Sequence, residues 1–198
     1  MIRSSRKVEN EFRDRFGKNF TLVHSPGRVN LIGEHTDYNE GFVLPAAIDK
    51  VIVLAIAPNQ TNRMRFYASD MEESFEADLT EDLSGSGLGW PDYLLGVVDQ
   101  LQKRGYEPEG FDCVFGGNIP IGAGLSSSAA LEGGVIFGLN HLFGLNISRV
   151  EMAKIAQKAE NEFVGVHCGI MDQFVSLNGK ADHALRLDCR SLEYDHYP

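Results

Sequence analysis

Two glycines and three serines mark the first place where this chain could do chemistry. They lie in Gly117-Asn-Ile-Pro-Ile-Gly-Ala-Gly-Leu-Ser-Ser-Ser-Ala-Ala-Leu-Glu132. An apolar run, Phe111 to Phe115, precedes the stretch, and an Ala/Leu-rich segment from Ala129 to about Leu145 follows it. Strand, glycine loop and helix start in that order make an anion site, because a helix N-terminus offers unpaired N–H groups and the positive end of its dipole. Gly122 and Gly124 let the backbone approach a ligand where a Cβ would stand in the way. Ser126, Ser127 and Ser128 can cap the helix, donate to phosphate oxygens or ligate a cation. The spacing fits neither of two common phosphate motifs. No Lys follows the glycines as GxxxxGK[ST] requires, and no third glycine completes GxGxxG. Taken alone, the stretch is either a phosphate loop of another kind or a Gly-Ser helix cap.

Other candidate groups are scattered along the chain. Ser25-Pro-Gly-Arg-Val-Asn-Leu-Ile-Gly-Glu-His-Thr-Asp-Tyr-Asn-Glu-Gly41 packs many hydrogen-bonding side chains around Val29, Leu31 and Ile32. Those apolar residues suggest a polar loop pinned to the core, where binding groups are expected. Asp172 stands alone among apolar residues and by itself reads as a helix cap. Glu160, at the edge of a helical stripe, reads as a solvated carboxylate or a ligand. His167 beside Cys168 is weak as a metal site without further partners.

The elements that must position these groups follow from periodicity. Val8, Phe12 and Phe16 predict an amphipathic helix over 4–16, ended by Gly17. Strands are expected at 20–24, 42–45 and 50–57, and a pair at 64–68 and 73–77. A helix with Pro91 near its start and Gly105 past its end buries Leu94, Val97, Val98 and Leu101. Ser148-Arg-Val-Glu151 is a capping box for a helix bearing Met152, Ile155, Ala156, Ala159 and Phe163. Phe174–Leu177 and His183–Leu187, separated by Asn178-Gly179, suggest a hairpin.

Composition bounds the rest. The 198 residues suit one domain or at most two small ones, and 43% apolar with 23% charged is ordinary for a globular protein. A net charge of −10 argues against nucleic acid and anionic membrane as partners. No apolar run is long enough to span a bilayer, and the charged N-terminus lacks a signal region. Three widely spaced cysteines, Cys113, Cys168 and Cys189, fit reduced thiols in the cytoplasm.

Together these stretches resemble the galactokinases within the GHMP kinase superfamily. Gly122–Ala130 is similar to that superfamily's ATP motif, and Gly27–Gly41 to the galactokinase signature. Cys168–Phe174 and Asp182–Glu193 match the same family. The resemblance implies an α+β fold, a GHMP-kinase N-terminal lobe with a mixed sheet backed by helices, similar to ribosomal protein S5 domain 2. It implies ATP-dependent phosphorylation of the C1 hydroxyl of galactose. Asp172 would be the base and Arg28 would stabilise the charge that develops in transfer. Glu34, His35, Thr36, Asp37 and Gly169 would hold the sugar with Asp172. Gly122, Ala123, Gly124, Leu125, Ser126, Ser127 and Ser128 would wrap the phosphates of ATP, and Trp90 and Tyr93 would line its adenine. Ser128 and Glu160 would ligate Mg²⁺.

The family's chain continues for about as much sequence again, so residues 1–198 correspond to its N-terminal domain. The C-terminal lobe would pack on this one, and without it apolar surface would be exposed. A non-catalytic galactose and ATP sensor, an inactive fragment and an N-acetylgalactosamine kinase are the alternatives. The intact Ser126–Ala130 run favours an enzyme, and the sugar loop follows the galactose pattern.

Overall fold

The run of small and β-branched residues around Val51 organises the sheet. It forms the middle of β3 (Pro45–Pro58) in a computed structural model that describes residues 2–17, 19–120 and 122–198. Val51, Val53, Ala55 and Ala57 point to one face, where Val8 and Phe12 of helix α1 (Ile2–Phe16) cover them. Leu54 and Ile56 point to the other face, into a larger core built with the remaining helices. Burial on both faces explains why this run lacks the polar alternation of a half-exposed strand.

The sheet has eight strands. Its main path runs β2 (Phe42–Val43), β7 (Ala184–Asp188), β3, β6 (Phe111–Gly117), β4 (Arg63–Ala68) and β5 (Glu73–Asp78). Off this path, β1 (Thr21–Asn30) pairs with β3, and β8 (Tyr194–Tyr197) with β7. Among the described residues only β4 and β6 run parallel, and every other pair is antiparallel. The expected α+β class and mixed sheet are therefore found.

Four helices pack on the larger core. They are α2 (Trp90–Gln102), α3 (Ser127–Phe143), α4 (Arg149–Lys158) and α5 (Met171–Asn178). Ser148 accepts from the Glu151 N–H, as the capping box requires. Helix α4 passes into a π-helical segment, Ala159–Val164, which ends at Gly165 in a left-handed conformation. Such segments re-aim side chains within a helix and are frequent at functional sites. This one carries Glu160.

Three expectations are corrected. Ser25 to Asn30 is not loop but the continuation of β1, with a register shift between Pro26 and Arg28. Pro26 is tolerated because β1 is hydrogen-bonded to one neighbour only. Leu31 and Ile32 are not core anchors: they are 58% and 64% exposed. The loop is held instead by backbone bonds from Leu31 N to Leu44 O and from Leu44 N to Ile32 O. Finally, Phe174–Leu177 is not a strand but part of α5, and β7 forms its hairpin with β8. A run of four residues, three of them apolar, cannot reveal its own period. Met171, Phe174, Val175 and Asn178 are buried at helical spacing.

Candidate active site

The register shift in β1 falls beside Arg28, which reaches across the sheet end to α5. Its Nε donates to Asp172 Oδ1 at 2.7 Å and its Nη2 to Oδ2 at 2.5 Å, a two-pronged ion pair. The third arm, Nη1, donates to the Gly124 carbonyl at 2.7 Å, and the Arg28 N–H donates to the Leu125 carbonyl. Ser126 Oγ donates to Asp172 Oδ2 at 2.5 Å. The glycine loop and the candidate base are thus one hydrogen-bonded unit. Spacing alone could not show this, since Arg28 and Asp172 lie 144 residues apart.

The serines do not cap α3 as a simple Gly-Ser cap would. Ser126 occupies the cap position in a left-handed conformation, and its side chain makes no bond to the helix N–H groups. Gly122 and Gly124 also have positive φ, 72° and 70°, so the loop requires residues that accept this backbone. Helix α3 opens at Ser127 and Ser128, and the first turn of a helix leaves N–H groups without intrahelical partners. Those two serines line a cavity of about 330 Å³ with Trp90, Tyr93, Phe115 and Met71. Trp90 is fixed there by a bond from Nε1 to Glu73 Oε2 at 2.7 Å. A largely apolar slot ending at a helix N-terminus suits a flat aromatic group carrying an anionic tail.

Asp172 is not the cap of α5; Asp37 takes that role. Asp37 Oδ1 accepts from Ile170 N at 2.9 Å and Oδ2 from Met171 N at 3.1 Å. Gly169 is required beside it, because a Cβ there would lie 2.0 Å from the Asp37 carboxyl carbon. Burial pushes the Asp37 carboxyl above its usual range, against the lowering effect of the Met171 N–H, the Cys189 thiol and the Ile170 N–H. The other sugar-loop candidates sit apart. Thr36 Oγ1 is engaged with the Gly33 and Phe42 carbonyls. His35, at φ 64°, pairs its Nδ1 with the Tyr38 hydroxyl, and Glu34 is exposed. Neither Glu34 nor His35 bonds to Arg28 or Asp172 among the described residues.

Glu160 is not a solvated carboxylate. It is 6% exposed and hydrogen-bonded by Ser128 and by Gln173 Nε2, the latter at 2.6 Å. Burial raises its carboxyl above the ordinary range, and the Ser128 bond opposes that shift. The reading of the sequence missed two residues here, Glu132 and Gln173, both fully buried. Glu132 did carry a signal, as the lone charge in Ala129–Ile136. Burial and the nearby Glu160 hold the Glu132 carboxyl well above the usual carboxylate range. His167 is exposed, and the Cys168 thiol turns to Glu160 and Asn161. No group of three or more His, Cys, Asp or Glu is placed to hold a metal among the described residues. The Ser128–Glu160 pair is a different donor set, all oxygen, which suits a hard cation that keeps several waters.

Comparison with known proteins meets this geometry. Residues 92–180 match the GHMP kinases N terminal domain, and residues 10–58 the galactokinase galactose-binding signature. The chain is 46% identical to the galactokinase of Thermotoga maritima over 176 residues, 89% of this chain and 49% of that one. The fold superposes on the galactokinase of Lactococcus lactis complexed with galactose, with a TM-score of 0.91 and 38% identity, over 96% of this chain and 50% of that one. The mevalonate kinase of Methanococcus jannaschii shares the fold at a TM-score of 0.77 and 23% identity, over 91% of this chain and 56% of that one. The chain spans about half the length of the curated relatives it matches.

Proposed function

We propose that residues 1–198 form the sugar- and nucleotide-binding lobe of a galactokinase. The reaction is transfer of the γ-phosphoryl group of ATP to the C1 hydroxyl of α-D-galactose, giving galactose 1-phosphate and ADP. The observation that carries this reading is the Arg28–Asp172 pair bonded directly to the glycine loop. It puts a proton acceptor and a fixed positive charge beside the place where a phosphate would lie.

The roles follow from chemistry. Phosphoryl transfer has a loose transition state, so positioning and charge neutralisation do most of the work. Asp172 orients the C1 hydroxyl and takes its proton late. Arg28 fixes that carboxylate and offers charge to the transferring group. Residues 122–128 wrap the phosphates, and Trp90 and Tyr93 enclose the adenine. Glu34, His35, Thr36 and Asp37, with the Gly169 backbone, hold the other sugar hydroxyls. Asp37 does so from a fixed position, since α5 anchors it. Bound Mg²⁺ would neutralise phosphate charge, and Ser128 and Glu160 are the residues that would hold it.

A second, C-terminal GHMP lobe completes the cleft in this reading. Its support is the half-length match to the relatives and the exposed apolar side chains Leu31, Ile32, Tyr38 and Phe42 along the sugar loop. The three free cysteines support a cytoplasmic setting.

Calorimetric titration of the chain with galactose and with Mg-ATP tests the proposal, together with galactose-dependent ADP release. Both ligands are expected to bind. Asp172→Asn should bind galactose within about threefold of wild type, and any ADP release the chain supports should fall at least ~100-fold, the scale of a lost general base. A folded chain that binds neither ligand sinks the reading. Loss of galactose binding in Asp172→Asn removes the base assignment.

A further inference from the structure

Helix α3, the π-helical segment and helix α5 each send one polar side chain to a single buried point. Gln173 Nε2 donates to Glu160 Oε2 at 2.6 Å and to Glu132 Oε2 at 3.1 Å. A primary amide nitrogen carries two N–H groups, and the two carboxyls are its shortest contacts, with the Cys168 sulfur further off at 3.8 Å. The amide is placed with its nitrogen toward both carboxyls, an orientation assigned from these contacts. Glu132 and Gln173 are fully buried, and Glu132 Oε1 and Gln173 Oε1 accept from no donor among the described residues.

Such an arrangement has no value for packing. Glu132 follows Ala129, Ala130 and Leu131 and precedes Gly133, Gly134 and Val135, where an apolar side chain would fill the same space without orphaned oxygens. Its side-chain connections toward the surface lead to Glu160, one directly between the two carboxyls and one through Gln173. Gln173 and the Cys168 thiol both address Oε2 of Glu160, and Oε1 receives neither.

We propose that Glu132 is a positioning residue for Glu160: acting through Gln173, it clamps the rear oxygen of that carboxylate so that the front oxygen faces the cation and nucleotide beside Ser128. This rests on the reading of Glu160 as a cation ligand. Residues that orient a ligand in this way typically change metal affinity by about 10- to 100-fold when lost.

The test is Mn²⁺ binding to the whole 198-residue chain, followed by the free-ion electron paramagnetic resonance signal, with Mn²⁺ alone and with a non-hydrolysable ATP analogue. Glu160→Gln should lose at least about 100-fold in Mn²⁺ affinity. Glu132→Met removes the acceptor but keeps the volume, and should lose about 10- to 100-fold. Glu132→Gln retains an acceptor oxygen for Gln173 and should stay within about threefold of wild type. Galactose affinity should be unchanged in Glu132→Met, which a general loosening of the lobe would not allow. Gln173→Met should match Glu132→Met, the double variant should lose no more than either alone, and Gln173→Met carries the test if Glu132→Met fails to fold. Normal Mn²⁺ affinity in Glu132→Met and Gln173→Met beside a loss in Glu160→Gln overturns the positioning role while leaving the cation site standing. Normal affinity in Glu160→Gln overturns both.

Discussion

Asp172 accepts from Arg28 Nε, Arg28 Nη2 and Ser126 Oγ, so a sugar hydroxyl that approaches Oδ2 must displace Ser126 or share with it. Arg28 is tied to the loop backbone as well, which leaves Ser126 as the partner free to move. Its left-handed backbone, unusual for a residue with a Cβ, fits a position with a second use, since the same hydroxyl lies in the proposed phosphate loop. Ser126→Ala is therefore expected to tighten galactose binding about threefold in the absence of nucleotide and to weaken Mg-ATP binding about tenfold, the scale of one hydrogen bond to a charged group. Separate calorimetric titrations with each ligand check both signs. Weaker galactose binding would show that Ser126 supports the carboxylate instead of competing for it. At this scale the sequence was informative only through motif resemblance: it named Arg28, Asp172 and Ser126 but left their mutual contacts unseen. Those contacts depend on a register shift in β1 and on a loop conformation that no local pattern encodes.

Elements were more legible where their period was long. The helices around Phe12, Leu94 and Met152 fall where apolar spacing puts them, and Ser148 caps as its motif requires. Helix α5 was hidden because its eight residues offer barely two turns, and because its cap comes from Asp37, 134 residues before Met171. That remote cap gives the sugar loop a structural duty besides any binding duty. Gly169→Ala would drive a Cβ into the Asp37 carboxyl and push it away from Ile170 and Met171. The expected cost is about 1–3 kcal/mol, from overpacking and the loss of a helix cap. Denaturant unfolding measures it, and galactose affinity should fall in the same variant. An unchanged midpoint would mean that α5 starts equally well without Asp37.

At the scale of the whole molecule, β3 contributes four buried residues to the smaller core and Leu54 and Ile56 to the larger, beside Tyr67 of β4 and Val114 of β6, whose strands also serve both cores. Its alternate residues face α1 on one side and the four other helices on the other, so loss of either layer would uncover one face of β3. This two-sidedness was the part of the architecture the sequence hinted at most directly, through a run from Val51 to Ala57 too apolar for a strand with one wet face. It did not reveal which segments cover each face, because α1 and the later helices have stripes of similar character. The arrangement predicts one cooperative unit. Leu54→Ala empties a site on the helix-rich face, where the side chain is fully buried and packs against Gly134 of α3. The loss should be about 2–5 kcal/mol. If β3 couples the faces, hydrogen exchange will speed up by the same factor in the amides of α1, on the opposite side, as in those of α3. Faster exchange confined to α3 would mean that α1 and its strand residues form a separately stable layer, and the coupling through β3 would fall.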